Sequence, residues 1–220
     1  MPITNVNITT VIRRIRKAVR DLPDPSVSLV GKKWHSPFRV LVSCLLSLRT
    51  KDETTLPAAR RLFAVADTPA GILKLKARKI EKLIYPVGFY RNKARVLLGI
   101  SRVLLDRYQG RVPDDLDELL TLNGVGRKTA NLVLIEGFHK PAICVDTHVH
   151  RISNRWGYIR TRNPHETEEA LRKKLPKPYW MDYNALLVTW GQNICRPVSP
   201  LCSRCAVSRF CPRVGVRQSR

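Results

Sequence analysis

The amino-acid sequence predicts an all-α protein. Three observations predict it. Apolar residues recur at intervals of three and four along most of the chain, alternating apolar–polar runs are scarce, and Pro, Gly and short capping residues punctuate the periodic stretches at helix lengths.

The elements follow in order. Ile8, Val11, Ile12, Ile15 and Val19 form one apolar stripe, with Arg13, Arg14, Arg16 and Lys17 between them, as in an amphipathic helix. Residues Phe38 to Leu48 are apolar on nearly every face, which predicts a central buried helix. Asp52 is the expected cap of the next helix. Thr68-Pro69 reads as a cap followed by a first-turn proline. From about Tyr90, the positions Ala94, Leu97, Leu98, Ser101, Leu104 and Leu105 give a further amphipathic helix. Pro113 and Asp114 are expected to open a short helix through Leu120, and Arg127 to Gly137 carries the next. Later helices are expected from about Pro164 to Leu175 and from Met181 to Trp190.

Composition narrows the function. The chain has 220 residues and is 44% apolar, which excludes wholesale disorder and allows a real core. No run of eighteen apolar residues exists, so a membrane span is not expected. The start, MPITNVNITT, lacks a basic head followed by an apolar run; the expected location is intracellular, in the cytoplasm or nucleoid, without secretion. Forty Lys and Arg against seventeen Asp and Glu give a net charge of +23. A folded chain this basic is expected to meet a polyanion, because each basic group near a phosphate backbone releases condensed counterions.

Residues Leu122 to Ala130 read LNGVGRKTA. Two glycines one residue apart, between helical segments, allow a tight turn with positive φ and expose the first-turn amides of the following helix. Such amides, backed by the helix dipole, suit a phosphate oxygen, and a hairpin of this kind grips DNA backbone without reading sequence. Gly124, Val125, Gly126 and Arg127 are therefore candidate DNA contacts. Lys128 falls in the first helical turn. From this segment alone it reads first as a phosphate-binding lysine. The dipole, neighbouring Arg127 and partial burial would also favour a neutral amine, which is what a nucleophile needs.

Eighteen residues further comes VDTHVHRISNR. Asp146 can cap a helix there or face a lysine across a cleft. His148 and His150, two apart, do not share a helix face, so they read as structural or phosphate-contacting residues and not as a metal pair. Cys44 and Cys144 sit in apolar surroundings and read as core filler. Cys195, Cys202, Cys205 and Cys211 lie within seventeen residues and read as a metal site. Zinc ribbons usually offer two close Cys pairs and only one is present, so the spacing suits a 4Fe–4S cluster better, with zinc left open. After Asp182 there is no acidic residue, and Arg196, Arg204, Arg209, Arg213, Arg217 and Arg220 surround the quartet.

Taken together, SPFRVLVSCLLSLRTKD, PVGFYRNKA, LNGVGRKTANLVL, VDTHVHRISNR and the Cys quartet resemble the endonuclease III family of helix–hairpin–helix DNA glycosylases over nearly the whole chain. The resemblance implies a six-helix barrel over 33–140 and a second α domain, from 1–32 and 141–220, holding a 4Fe–4S cluster on the four cysteines, with DNA in the groove between them. It implies that Lys128 is the catalytic lysine and Asp146 the catalytic aspartate. It further implies a bifunctional glycosylase/AP lyase that removes oxidised pyrimidines, such as thymine glycol, from double-stranded DNA, acting as a monomer. Three positions depart from the family pattern. Arg49 stands where many relatives have a gap-filling glutamine, Phe89 where many have a wedging leucine, and Asn123 where proline is usual. The alternatives are a glycosylase of altered specificity for mismatched or deaminated bases, a protein that is mainly an AP lyase, and a non-catalytic iron–sulfur DNA-binding module.

Overall fold

The computed structural model describes residues 3–23, 25, 27–29 and 36–220. The described residues form helices joined by turns, with no strand among them. They divide into two compact units, Met1–Asp24 with Ile143–Arg220, and Pro25–Ala142. The boundary expected at 32/33 lies outside the described residues.

The first unit to consider is the continuous one. Helix α1 is Ile8–Ala18 and α2 is Pro37–Ser47. The centre of the continuous unit is α2, since residues apolar on every face have nowhere to go but inside. Ser36 caps α2 by accepting the Arg39 amide, Pro37 occupies the first turn, and every residue from Val40 to Leu46 is buried. Around it run α3 (Asp52–Phe63), α4 (Pro69–Leu73), α5 (Ala77–Ile84), α6 (Tyr90–Tyr108), α7 (Leu116–Leu120) and α8 (Arg127–Phe138). Helix α2 packs on α3, α6 and α8. Truncating a fully buried side chain here, such as Leu41→Ala, should cost about 2–5 kcal/mol.

Two local expectations need correction. Asp52 is not the cap of α3. Lys51 holds that place in extended backbone without a side-chain cap bond, and Asp52 and Glu53 sit one step inside, where the helix dipole favours them. Helix α7 does not open at Pro113. Asp115 caps it by accepting the amides of Asp117 and Glu118, so the helix starts at Leu116. Thr68 does cap α4, accepting the Gly71 amide at 3.1 Å.

In the other unit, the apolar stripe of α1 joins a core built from residues far along the chain. Ile8, Val11, Ile12 and Ile15 pack with Ile143, Val149, Ile152, Trp156, Tyr183 and Trp190. The helices there are α9 (Thr147–Arg155), α10 (Pro164–Lys174) and α11 (Trp180–Asn193). Helix α11 extends beyond the expected end at Trp190 because Gly191 does not stop it. Helix α9 packs on α10 and α11, and α11 on α1. No helix among the described residues is long and apolar enough to cross a membrane.

Candidate functional site

The hairpin between α7 and α8 is held from below by its apolar residues. Leu122 and Val125 are buried, and the Val125 amide donates to the Leu122 carbonyl at 3.0 Å. Gly124 has φ +82°, the left-handed region that glycine enters without strain. A side chain there would also meet Val96 at 3.1 Å. The positive φ that the glycine pair allows is taken up at Gly124 alone of the two; Gly126 is extended, because it is the residue preceding helix entry. As the N-cap, Gly126 has no side chain to close over the first-turn amides of α8, and a Cβ on it would face open space. An anionic oxygen fits that position.

Helix α8 turns Thr129 to Ile135 inward, which leaves its first turn at the surface. Arg127 is half-buried and Lys128 is exposed. The partial burial expected of Lys128 is not found. Behind it, burial pushes the Cys44 thiol up to about 12, with the Lys128 charge opposing. Both Cys44 and Cys144 are buried, as expected.

Two exposed side chains in the same unit lie close together. Arg49 and Phe89 both have left-handed backbone, φ 52° and 57°, and the Arg49 guanidinium lies 5.6 Å from the centre of the Phe89 ring. Phe89 is 63% exposed, far more than packing alone would leave a phenyl ring. Beside them opens a cavity of about 420 Å³, lined by Leu45, Leu48, Asn92, Val96 and Gly124 among others.

In the other unit, Asp146 is buried and is the N-cap of α9. Its Oδ1 accepts the amides of His148 at 2.9 Å and Val149 at 2.8 Å. Arg151 donates from Nη2 to Nδ1 of His148 at 3.0 Å. A guanidinium cannot accept, so the neutral imidazole carries its proton on Nε2. His150 instead pairs with the Thr167 hydroxyl at 2.7 Å. The two histidines thus have separate partners. Lys128 and Asp146 belong to different units.

The four C-terminal cysteines line one cavity together with Arg155, Trp156, Trp190 and Ile194. Burial pushes the Cys205 thiol up to about 11, with the neighbouring Cys195, Cys211 and Cys202 adding to the rise. Arg155, at the end of α9, is buried and donates from Nη1 to the Cys195 sulfur at 3.5 Å and to the Arg196 carbonyl at 2.6 Å. Its Nη2 reaches the Pro197 carbonyl at 2.6 Å, and its own carbonyl accepts from the Cys211 thiol. No group of three or more His, Cys, Asp or Glu among the described residues is arranged to hold a metal ion directly. Four thiols facing one cavity beside a buried cation nonetheless match a thiolate-bound anionic group in donor type and in charge.

Three residues near these sites carried no role in the sequence reading. Arg151 and Arg155 carry no pattern in the sequence that sets them apart from the other basic residues of this chain. Lys93 had a legible signal. It falls in register with Leu97, Ile100 and Leu104 on the buried face of α6, where a lysine needs an explanation.

Residues 42–177 match the HhH-GPD superfamily base excision DNA repair protein family. Endonuclease III of Thermotoga maritima is 54% identical over 81% of this chain and 84% of its own length. Endonuclease III of Escherichia coli K12 is 35% identical over 91% of this chain and 92% of its own. Endonuclease III homolog 1, chloroplastic, of Arabidopsis thaliana is 45% identical, and the match spans 48% of that longer protein. Among solved structures, a non-covalent endonuclease III–DNA complex superimposes with a TM-score of 0.85, at 34% identity and 96% of both chains. A trapped endonuclease III–DNA covalent intermediate gives 0.83, at 33% identity, over 96% of this chain and 97% of that one.

Proposed function

The chain belongs to the endonuclease III family of HhH-GPD base excision DNA repair proteins and is a DNA glycosylase/AP lyase, and we propose that Lys128 and Asp146 carry its chemistry on oxidised pyrimidines in double-stranded DNA. The single observation behind this reading is the match, over 96% of the chain, to a relative solved as a covalent intermediate with DNA. Such an intermediate needs a nucleophile. Lys128 offers an exposed amine in the first turn of α8, beside the uncapped amides that suit a DNA phosphate.

The steps follow from that assignment. The target nucleotide leaves the stack, since its C1′ cannot be reached within the duplex. The Lys128 amine bonds to C1′ through its lone pair and the glycosidic bond breaks, its electron pair leaving with the base, which is protonated. Asp146 takes the proton released by the amine and steadies positive charge on the sugar. The sugar ring opens to a Schiff base, which acidifies the C2′ proton. Its removal expels the 3′ phosphate oxygen and nicks the strand, and water then releases Lys128.

Gly124, Val125, Gly126 and Arg127 hold the backbone, His148 adds a further contact, and Arg49 and Phe89 occupy the space the everted nucleotide leaves. The thiolates of Cys195, Cys202, Cys205 and Cys211 would hold a 4Fe–4S cluster, which supplies a structural tie for the basic C-terminal segment. The protein acts as a monomer with duplex DNA as its partner.

Borohydride reduction tests the reading. Wild type should form a trapped adduct with duplexes containing thymine glycol or an abasic site, and Lys128→Gln should form none. Absence of an adduct from wild type would refute the lysine chemistry.

A further inference from the structure

We propose that Lys93 is a positioning residue that locks the loops carrying Arg49 and Phe89 into one rigid wedge. The inference rests on the reading of those two side chains as the ones that enter DNA.

Lys93 is only 7% exposed, and its ammonium is aimed at the end of α2. Nζ donates to the carbonyl of Leu46 at 2.8 Å, to that of Leu48 at 2.6 Å and to the Thr50 hydroxyl at 3.2 Å. The last carbonyls of a helix lack partners, and the negative end of its dipole favours a cation. Lys93 meets both needs at the point where α2 stops and the chain reverses through Arg49.

The same network reaches the second loop. The Thr50 hydroxyl also accepts the Gly88 amide at 3.1 Å. The two loops touch so closely there that a Cβ on Gly88 would lie 2.8 Å from the Arg49 carbonyl oxygen. Gly88 precedes Phe89 directly, and Thr50 follows Arg49 directly. One ammonium and one hydroxyl therefore tie the backbone beside each of the two exposed side chains. Both of those residues have left-handed backbone, which is costly for side chains of their size and persists only where neighbours enforce it. The bonded network around Lys93 supplies that enforcement. It also keeps the guanidinium stacked on the ring, so the two enter DNA together. A lysine is suited to this place because its three donors meet three oxygens.

The test uses a readout that does not need turnover. A duplex carries tetrahydrofuran, an unreactive abasic analogue, opposite 2-aminopurine, whose fluorescence rises when it is unstacked. Wild type should brighten it. Lys93→Met and Thr50→Val should each reduce the rise at least about threefold at saturating protein, read at a temperature where circular dichroism shows both variants folded. In an Arg49→Ala/Phe89→Ala background, Lys93→Met should change the signal no further. Single-stranded abasic oligonucleotide, which has no opposite strand to wedge, should be trapped by borohydride as well by Lys93→Met as by wild type.

Equal brightening by wild type and both single variants, or an added loss in the double-alanine background, overturns the inference. If wild type itself does not brighten the duplex, the wedge reading and the inference fall together. Failure of wild type to trap duplex containing a true abasic site refutes Lys128 as nucleophile, while the fluorescence still decides the role of Lys93.

Discussion

The Oδ1 atom of Asp146 accepts the backbone amide of Val149 at 2.8 Å, and the same atom accepts the amide of His148. Helix capping thus engages one carboxylate oxygen, and Oδ2 takes no part in it. The two roles the sequence offered for this residue, cap and base, are therefore compatible in one side chain. Asparagine caps as well as aspartate but cannot accept a proton. Asp146→Asn should keep stability within about 0.5 kcal/mol and lower base release about 10²–10⁴-fold. Urea unfolding and single-turnover kinetics check the two halves. A stability loss that matches the activity loss would reduce Asp146 to a cap.

Gly124 is the hairpin residue whose conformation demands glycine. Gly124→Ala must place a Cβ at φ +82° and 3.1 Å from Val96. The expected cost is about 1–2 kcal/mol of stability, read from denaturant midpoints. Duplex affinity should fall as well, measured by anisotropy at fixed salt, because the hairpin amides move. Gly126→Ala, extended and facing open space, should leave stability nearly unchanged and lower affinity alone.

Arg155 organises the cysteine segment. Arg155→Leu removes the donors to the Arg196 and Pro197 carbonyls and to the Cys195 sulfur. Stranding those acceptors should cost roughly 2–4 kcal/mol. If the four cysteines hold iron, the variant should release it to a chelator with affinity lowered about 10–100-fold. Iron per chain before and after chelation is the measurement. Unchanged retention would remove Arg155 from the support of that site.

Lys93 gives a pH dependence with a definite direction. Burial brings its amine down from 10.5 to about 8. Between those values the folded chain has released the proton and the unfolded chain still binds it. The contribution of this group to stability is therefore lower below about pH 8 and rises as pH climbs toward 10.5. Wild type should gain stability relative to Lys93→Met between about pH 7.5 and 9.5 in parallel urea titrations. A difference that stays flat or shrinks over that interval contradicts the assignment.

What could be read from the chain alone was whatever is written within one or two helical turns. The apolar stripe of α1, the all-round apolar α2, the Thr68 cap, the hairpin and the cysteine spacing all belong to that class, because periodicity and turn chemistry are properties of neighbours in sequence. The errors were of the same local kind. At Asp52 and Pro113 a capping residue was one or two places from the position assigned, and only the backbone angles identify which residue precedes the helix. The tertiary structure decided the rest. It placed Ile8 to Ile15 in a core with residues beyond Ile143, gathered four thiols around one cavity with Arg155, and set Lys93 against carbonyls 45 and 47 residues away. Such partners are chosen by packing across long loops, and no local pattern records them. The reason is physical. A buried charge is legible as an anomaly on an apolar face, but which oxygens satisfy it depends on where distant backbone ends, and that is settled when the helices close on one another.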